Sequence, residues 1–141
     1  MGLSDIKSKL RLEYDDSSAP PLLSDDQLNR AIMRALAAIN LNLERAYTVV
    51  EEEIQPALSF DDEEVLLTHA MITVCAMMQS KTARNFSFAS GDKKVDKTKQ
   101  PDYWAKLGQS YEAKYKQMVS ERNPDYGTET VLLTPQIYGQ D

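Results

Sequence analysis

Twice in its first 64 residues the chain announces a helix with the same grammar, and these two starts constrain the fold more than any other feature. At the first, Ser24 can cap, Gln27 stands three positions on, and Leu23 and Leu28 occupy the staple positions on either side. The apolar residues Leu28, Ala31, Ile32, Ala35, Leu36, Ile39, Leu43, Ala46, Tyr47, Val50 and Ile54 then recur at helical spacing, which predicts a helix over 25–54 stopped by Pro56. At 1.5 Å per residue it would be about 45 Å long. A compact chain of 141 residues is only roughly 37 Å across. Such a helix bends near Asn40-Leu41-Asn42 or projects beyond its domain, and a projecting apolar stripe needs a partner.

The second start places Asp61 as cap, Glu64 at the third helical position, and Phe60 and Val65 as staple, with Asp62, Glu63 and Glu64 on the positive end of the helix dipole. The run VLLTHAMITVCAMM that follows is apolar on nearly every face, as in the buried centre of a bundle; the predicted helix covers 61–83, with Lys81 and Arg84 suited to its C-terminal end. Within it, Cys75 reads as a small buried hydrophobe, Met71, Met77 and Met78 as core filler, and His69, with no Cys, His or acid at ligand spacing, as a structural or surface residue. A third helix is expected over 101–122, opened by Pro101 and ended by Asn123-Pro124, with Trp104, Leu107, Gly108, Tyr111, Tyr115, Met118 and Val119 on its inner side. A short helix over 4–13, capped by Ser4 and carrying Ile6 and Leu10 inward, precedes the linker DDSSAPP.

Two stretches fit no helix. Residues 85–100 read as an ordered loop with a turn at Ser90-Gly91-Asp92, and Lys93, Lys94, Lys97 and Lys99 crowd its second half. That run is either a solvated loop or one that meets phosphate or an acidic partner surface. Lysines without interleaved aromatics or arginines would make backbone contacts only to DNA. The tail DYGTETVLLTPQIYGQD carries Val131, Leu132, Leu133, Ile137 and Tyr138 without helical spacing and is interrupted by Pro135. It reads as an extended segment that folds back on its own bundle or straps a neighbour. The expected fold is therefore all-α, a small bundle of three main helices plus a short N-terminal one. Its organisation is an N-terminal helix and linker at 1–23, a bundle at 24–122 and an extended tail at 123–141.

Charge is unevenly spread. The net charge is −6, yet residues 1–64 hold 6 basic and 14 acidic side chains (−8) and residues 84–122 hold 9 and 5 (+4). This permits head-to-tail attraction between copies. A pI near 4.8 disfavours a generic DNA-binding protein. The sequence lacks a long apolar run and a signal-peptide core, so no membrane partner is expected. One cysteine and one histidine exclude a disulfide framework and a thiolate zinc site, and no P-loop, GxGxxG, HExxH, GxSxG or EF-hand spacing occurs. No catalytic residue, cofactor or metal is expected, and an enzyme is not.

The order of these segments resembles the head–tail connector (adaptor or head-completion) proteins of tailed double-stranded DNA bacteriophages. The resemblance covers about residues 24–120: a helix opening LLSDDQLNRAI, the apolar helix EEVLLTHAMITVCAMM, the turn-rich FSFASGDKKVDKTKQ and the aromatic helix YWAKLGQSYEAKYKQMV. It implies a structural virion protein, assembled in the host cytoplasm, that forms a dodecameric ring under the portal. Such a ring completes the DNA-filled head, touches channel DNA without sequence preference and docks the tail or next neck protein. On that reading Lys93, Lys94, Lys97 and Lys99 face a neighbouring subunit or the channel, and Val131, Leu132, Leu133, Ile137 and Tyr138 clasp a neighbour or the portal. The competing expectation is a small all-α cytoplasmic interaction module or assembly chaperone, seen as a monomer or two-fold dimer.

Overall fold

The computed structural model describes residues 2–16, 21–88 and 101–126. Its elements run α1 (Leu3–Glu13), α2 (Asp25–Asn42), β1 (Thr48–Val50), β2 (Glu53–Gln55), α3 (Phe60–Phe88) and α4 (Pro101–Arg122). The fold is mostly helical, with one small antiparallel hairpin in which Thr48 faces Gln55, Val49 faces Ile54 and Val50 faces Glu53.

The first capping box forms as its residues dictate. Gln27 N donates to Ser24 Oγ at 3.2 Å and Ser24 N to Gln27 Oε1 at 2.9 Å, while Leu23 and Leu28 are buried beside it. The helix it starts does not reach residue 54. Leu43 N still donates to Ile39 O, but Glu44 takes a left-handed φ of 57° and the chain turns into the hairpin. Asn40 holds this exit: its Oδ1 accepts from Tyr47 N at 2.8 Å and its Nδ2 donates to Tyr47 O at 2.9 Å. Leu43, Tyr47 and Ile54 are buried, though from a C-cap, a loop and a strand, whereas Ala46 and Val50 of the same apolar series are exposed because the chain has left the helix. The projecting-helix argument for assembly accordingly falls.

The longest helix is instead α3, 29 residues and about 43 Å. It begins earlier than the spacing suggests, because Ser59 and not Asp61 is the cap: Ser59 Oγ accepts from Asp62 N at 3.1 Å and Ser59 O from Glu63 N at 2.9 Å. Phe60 makes no staple and is 79% exposed. At its other end the helix runs through Phe88, so the first four residues of the expected 85–100 loop are helical. The N-terminal helix also differs at its cap. Gly2 stands there without a side-chain cap, Ser4 is exposed, and Leu3 N donates to Glu52 O at 2.9 Å, tying α1 to the hairpin.

Val65, Leu66, Ala70, Met71, Val74, Cys75 and Met78 of α3 form the centre of the core. α4 packs along it, with Trp104, Gly108, Tyr115 and Val119 buried, and its bounds are those read from the sequence. Gly108 permits the close crossing: a Cβ there would lie 3.2 Å from Cys75 Cβ. Leu3, Ile6 and Leu10 of α1 join the same core.

Candidate interaction surfaces

The residues expected to make subunit or partner contacts, Lys93, Lys94, Lys97 and Lys99 with Val131, Leu132, Leu133, Ile137 and Tyr138, lie outside the described residues. What the fold describes is the frame from which those segments depart.

One end of the bundle gathers the hairpin, the start of α3 and the last turn of α4. Asp62, 3% exposed, accepts from Arg45 Nε at 3.0 Å and from Tyr47 OH at 2.5 Å. Burial, and then this carboxylate, push the Tyr47 phenol above its ordinary pKa, while the hydrogen bond to Asp62 raises that of Arg45. Beside it, Lys9 Nζ donates to buried Glu63 at 2.7 Å. Asp61 is exposed and receives both Nε and Nη2 of Arg122 at 2.7 Å, which hold its carboxyl below the usual range. Asn42 Nδ2 donates to Tyr115 OH at 2.7 Å, and Asn123 Nδ2 returns to Asn42 O at 2.6 Å. Two large apolar side chains adjoin these anchors: Leu41, 78% exposed, next to Asn42, and Phe60, 79% exposed, next to Asp61. Both neighbours are bonded to the end of α4, Asn42 to Asn123 and Asp61 to Arg122.

Elsewhere on the bundle, the end of α1 meets the first turns of α4. Arg11 joins them to α2: it donates to Asp16 Oδ2 at 3.1 Å, to Leu23 O at 3.0 Å and to Asp25 Oδ1 at 2.8 Å. Asp16 also accepts from Tyr14 OH and from Leu22 N, and Lys81 Nζ donates to Leu22 O. Next to this junction opens a cleft of about 340 Å³, walled by Tyr14, Tyr103, Trp104 and Tyr111 with two leucines, and carrying the carboxylates Glu13 and Asp15. Tyr111 OH donates to Glu13 Oε1 at 3.2 Å, and burial together with that carboxylate pushes the phenol up to about 12.

The single cysteine and histidine sit inside the fold. Cys75 is buried, which pushes its thiol up to about 12. His69 is half-buried and meets Tyr115 edge-on at 4.8 Å; burial lowers its pKa, and its Nδ1 has no hydrogen-bond partner among the described residues. Among the described residues no group of three His, Cys, Asp or Glu side chains could hold a metal ion, and no helix is long and apolar enough to cross a membrane.

Arg11, Asp16 and Arg45 are polar residues that sequence reasoning passed over, and Asp62, read from the sequence only as a charge on the helix dipole, is a buried acceptor for Arg45 and Tyr47. Asp16 and Asp62 each follow another aspartate, Asp15 or Asp61, and nothing local distinguishes the buried side chain from the exposed one. Compared with protein-family models, curated proteins and solved structures, the chain matches none.

Proposed function

We propose that this chain is a structural virion protein that forms a homo-oligomeric ring beneath the portal at the head–tail junction of a tailed phage. The ring would close the DNA-filled head and dock the tail or next neck protein. The order of segments across residues 24–120 supports this reading, as does a mostly helical fold that keeps that order. The observation that carries it furthest is the pair Leu41 and Phe60, nearly 80% exposed, whose chain neighbours Asn42 and Asp61 are bonded to the end of α4. Large apolar side chains left in water are available for cover by another chain. A heterologous contact between copies gives a ring when its rotation closes.

The charge split identifies the contact to test. Reversal of Lys93, Lys94 and Lys97 to Glu is expected to weaken assembly and flatten its salt dependence, as read by sedimentation velocity across a salt series. Unchanged assembly with an unchanged salt profile would remove the lysines from the contact. A stable monomer or two-fold dimer, alone and with portal, would favour the interaction-module reading.

A further inference from the structure

We infer that the cleft between the end of α1 and the start of α4 binds a cationic side chain, arginine by preference, presented by a partner protein. The lining is of one kind. Tyr14, Tyr103, Trp104 and Tyr111 supply aromatic lining, of which Tyr103 is the most exposed and Tyr14 and Trp104 are buried, Glu13 and Asp15 supply negative charge, and among the described residues no lysine or arginine lines the cleft. Tyr103 and Trp104 meet edge-on at 5.1 Å, which fixes two of the walls relative to one another. Glu13 accepts one hydrogen bond, from Tyr111, at a single oxygen, and the Asp15 side chain has no partner among the described residues.

Aromatic walls with unpaired carboxylates attract a cation that also has an apolar surface. Guanidinium meets both demands, because its flat faces stack on rings while its edge donates two parallel hydrogen bonds to a carboxylate. Lysine satisfies the charge but offers neither the plane nor the fork. At about 340 Å³ the cleft is at the small end of ligand sites, suited to one side chain and not to a folded element. An anion is disfavoured by the two carboxylates, and a purely apolar group would bury Asp15 unpaired. The acidic balance of residues 1–64 would draw a basic partner toward this end. This inference does not depend on ring formation, and a monomer would show it equally.

Trp104 is the chain's single tryptophan and forms part of the wall, so its fluorescence reports occupancy. The test titrates the full chain with an end-blocked Gly-Arg-Gly peptide and with its citrulline counterpart, which has nearly the same shape and no charge. The arginine peptide is expected to shift Trp104 emission saturably, with affinity about tenfold or more above that of the citrulline peptide. Amide NMR shifts should cluster at residues 12–16 and 101–111. The double variant Glu13→Gln, Asp15→Asn should abolish the preference without unfolding the chain, since both positions are exposed and Asn tolerates the left-handed φ of 55° at residue 15. Equal binding of the two peptides, undiminished preference in the double variant, or no saturable response would each overturn the assignment.

Discussion

Replacing Asp62 with alanine is expected to destabilise the fold by about 2–4 kcal/mol, whereas the same change at Asp61, one residue earlier, should cost about 0.2–1 kcal/mol. Both carboxylates are ion-paired at the start of α3, so the contrast isolates burial. Asp62 is 3% exposed and takes a hydrogen bond from Tyr47, itself only 8% exposed, as well as one from Arg45. Truncation leaves the Tyr47 hydroxyl without its acceptor, a desolvation cost of about 1–3 kcal/mol. The Arg45 side chain is 45% exposed, so water can replace much of its lost bond, and the full penalty for breaking a buried ion pair does not apply. Asp61 holds Arg122 bidentately but is 59% exposed, which places it among surface pairs. Urea unfolding followed by Trp104 fluorescence measures the difference; in thermal unfolding a loss of about 3 kcal/mol is roughly 6–12 °C. A double-mutant cycle with Tyr47→Phe should return a coupling of at least about 1 kcal/mol. If Asp62→Ala costs no more than Asp61→Ala, the cluster does not hold the hairpin to α3.

Trp104→Ala, which removes the single tryptophan, should cost about 3–5 kcal/mol in urea unfolding followed by circular dichroism, because the ring is 3% exposed; a loss under about 1 kcal/mol would place it at the surface. His69 has its pKa lowered by burial, so below the unfolded value of about 6.5 the unfolded chain takes up a proton that the fold resists. Its contribution is thus full above pH about 6.5 and falls as the pH drops below it. His69→Phe, which keeps an aromatic ring beside Tyr115, should flatten the stability profile just below that pH, and an unchanged profile in the variant would contradict this. Truncation after Asn123 keeps the Asn123–Asn42 anchor and should leave the circular dichroism helical while abolishing capture by the portal; loss of helicity would assign the tail to the monomer's own core.

The legible elements are those whose ends are written in backbone chemistry. α4 opens at Pro101 and stops before Asn123-Pro124, and the α2 start carries a complete capping box, so their boundaries needed no tertiary information. The end of α2 was hidden because Leu43, Tyr47 and Ile54 satisfy a helical repeat and a hairpin equally well. The turn gave no warning either. Glu51 and Glu52 both adopt positive φ, 52° and 63°, where a two-residue hairpin loop ordinarily uses Asn-Gly or Asp-Gly. Each such residue costs of order 1–2 kcal/mol, and the buried Ile54, the Asn40 clamp and the Leu3–Glu52 bond offset it through contacts remote in sequence. The same limit applies to the surfaces. The aromatic spacing of α4 was visible, but the cleft it forms with the end of α1 depends on where Arg11 and Asp16 draw the linker, and that is a property of the packed structure.

The most direct test of the proposed role is the composition and architecture of purified virions. Quantitative mass spectrometry combined with electron microscopy of the neck, using an antibody against this chain, would read copy number and position together. The account predicts about twelve copies per particle in a ring between portal and tail, as the family resemblance implies. Absence of the chain from mature particles, or its presence only in assembly intermediates, would contradict a structural role and favour an assembly chaperone.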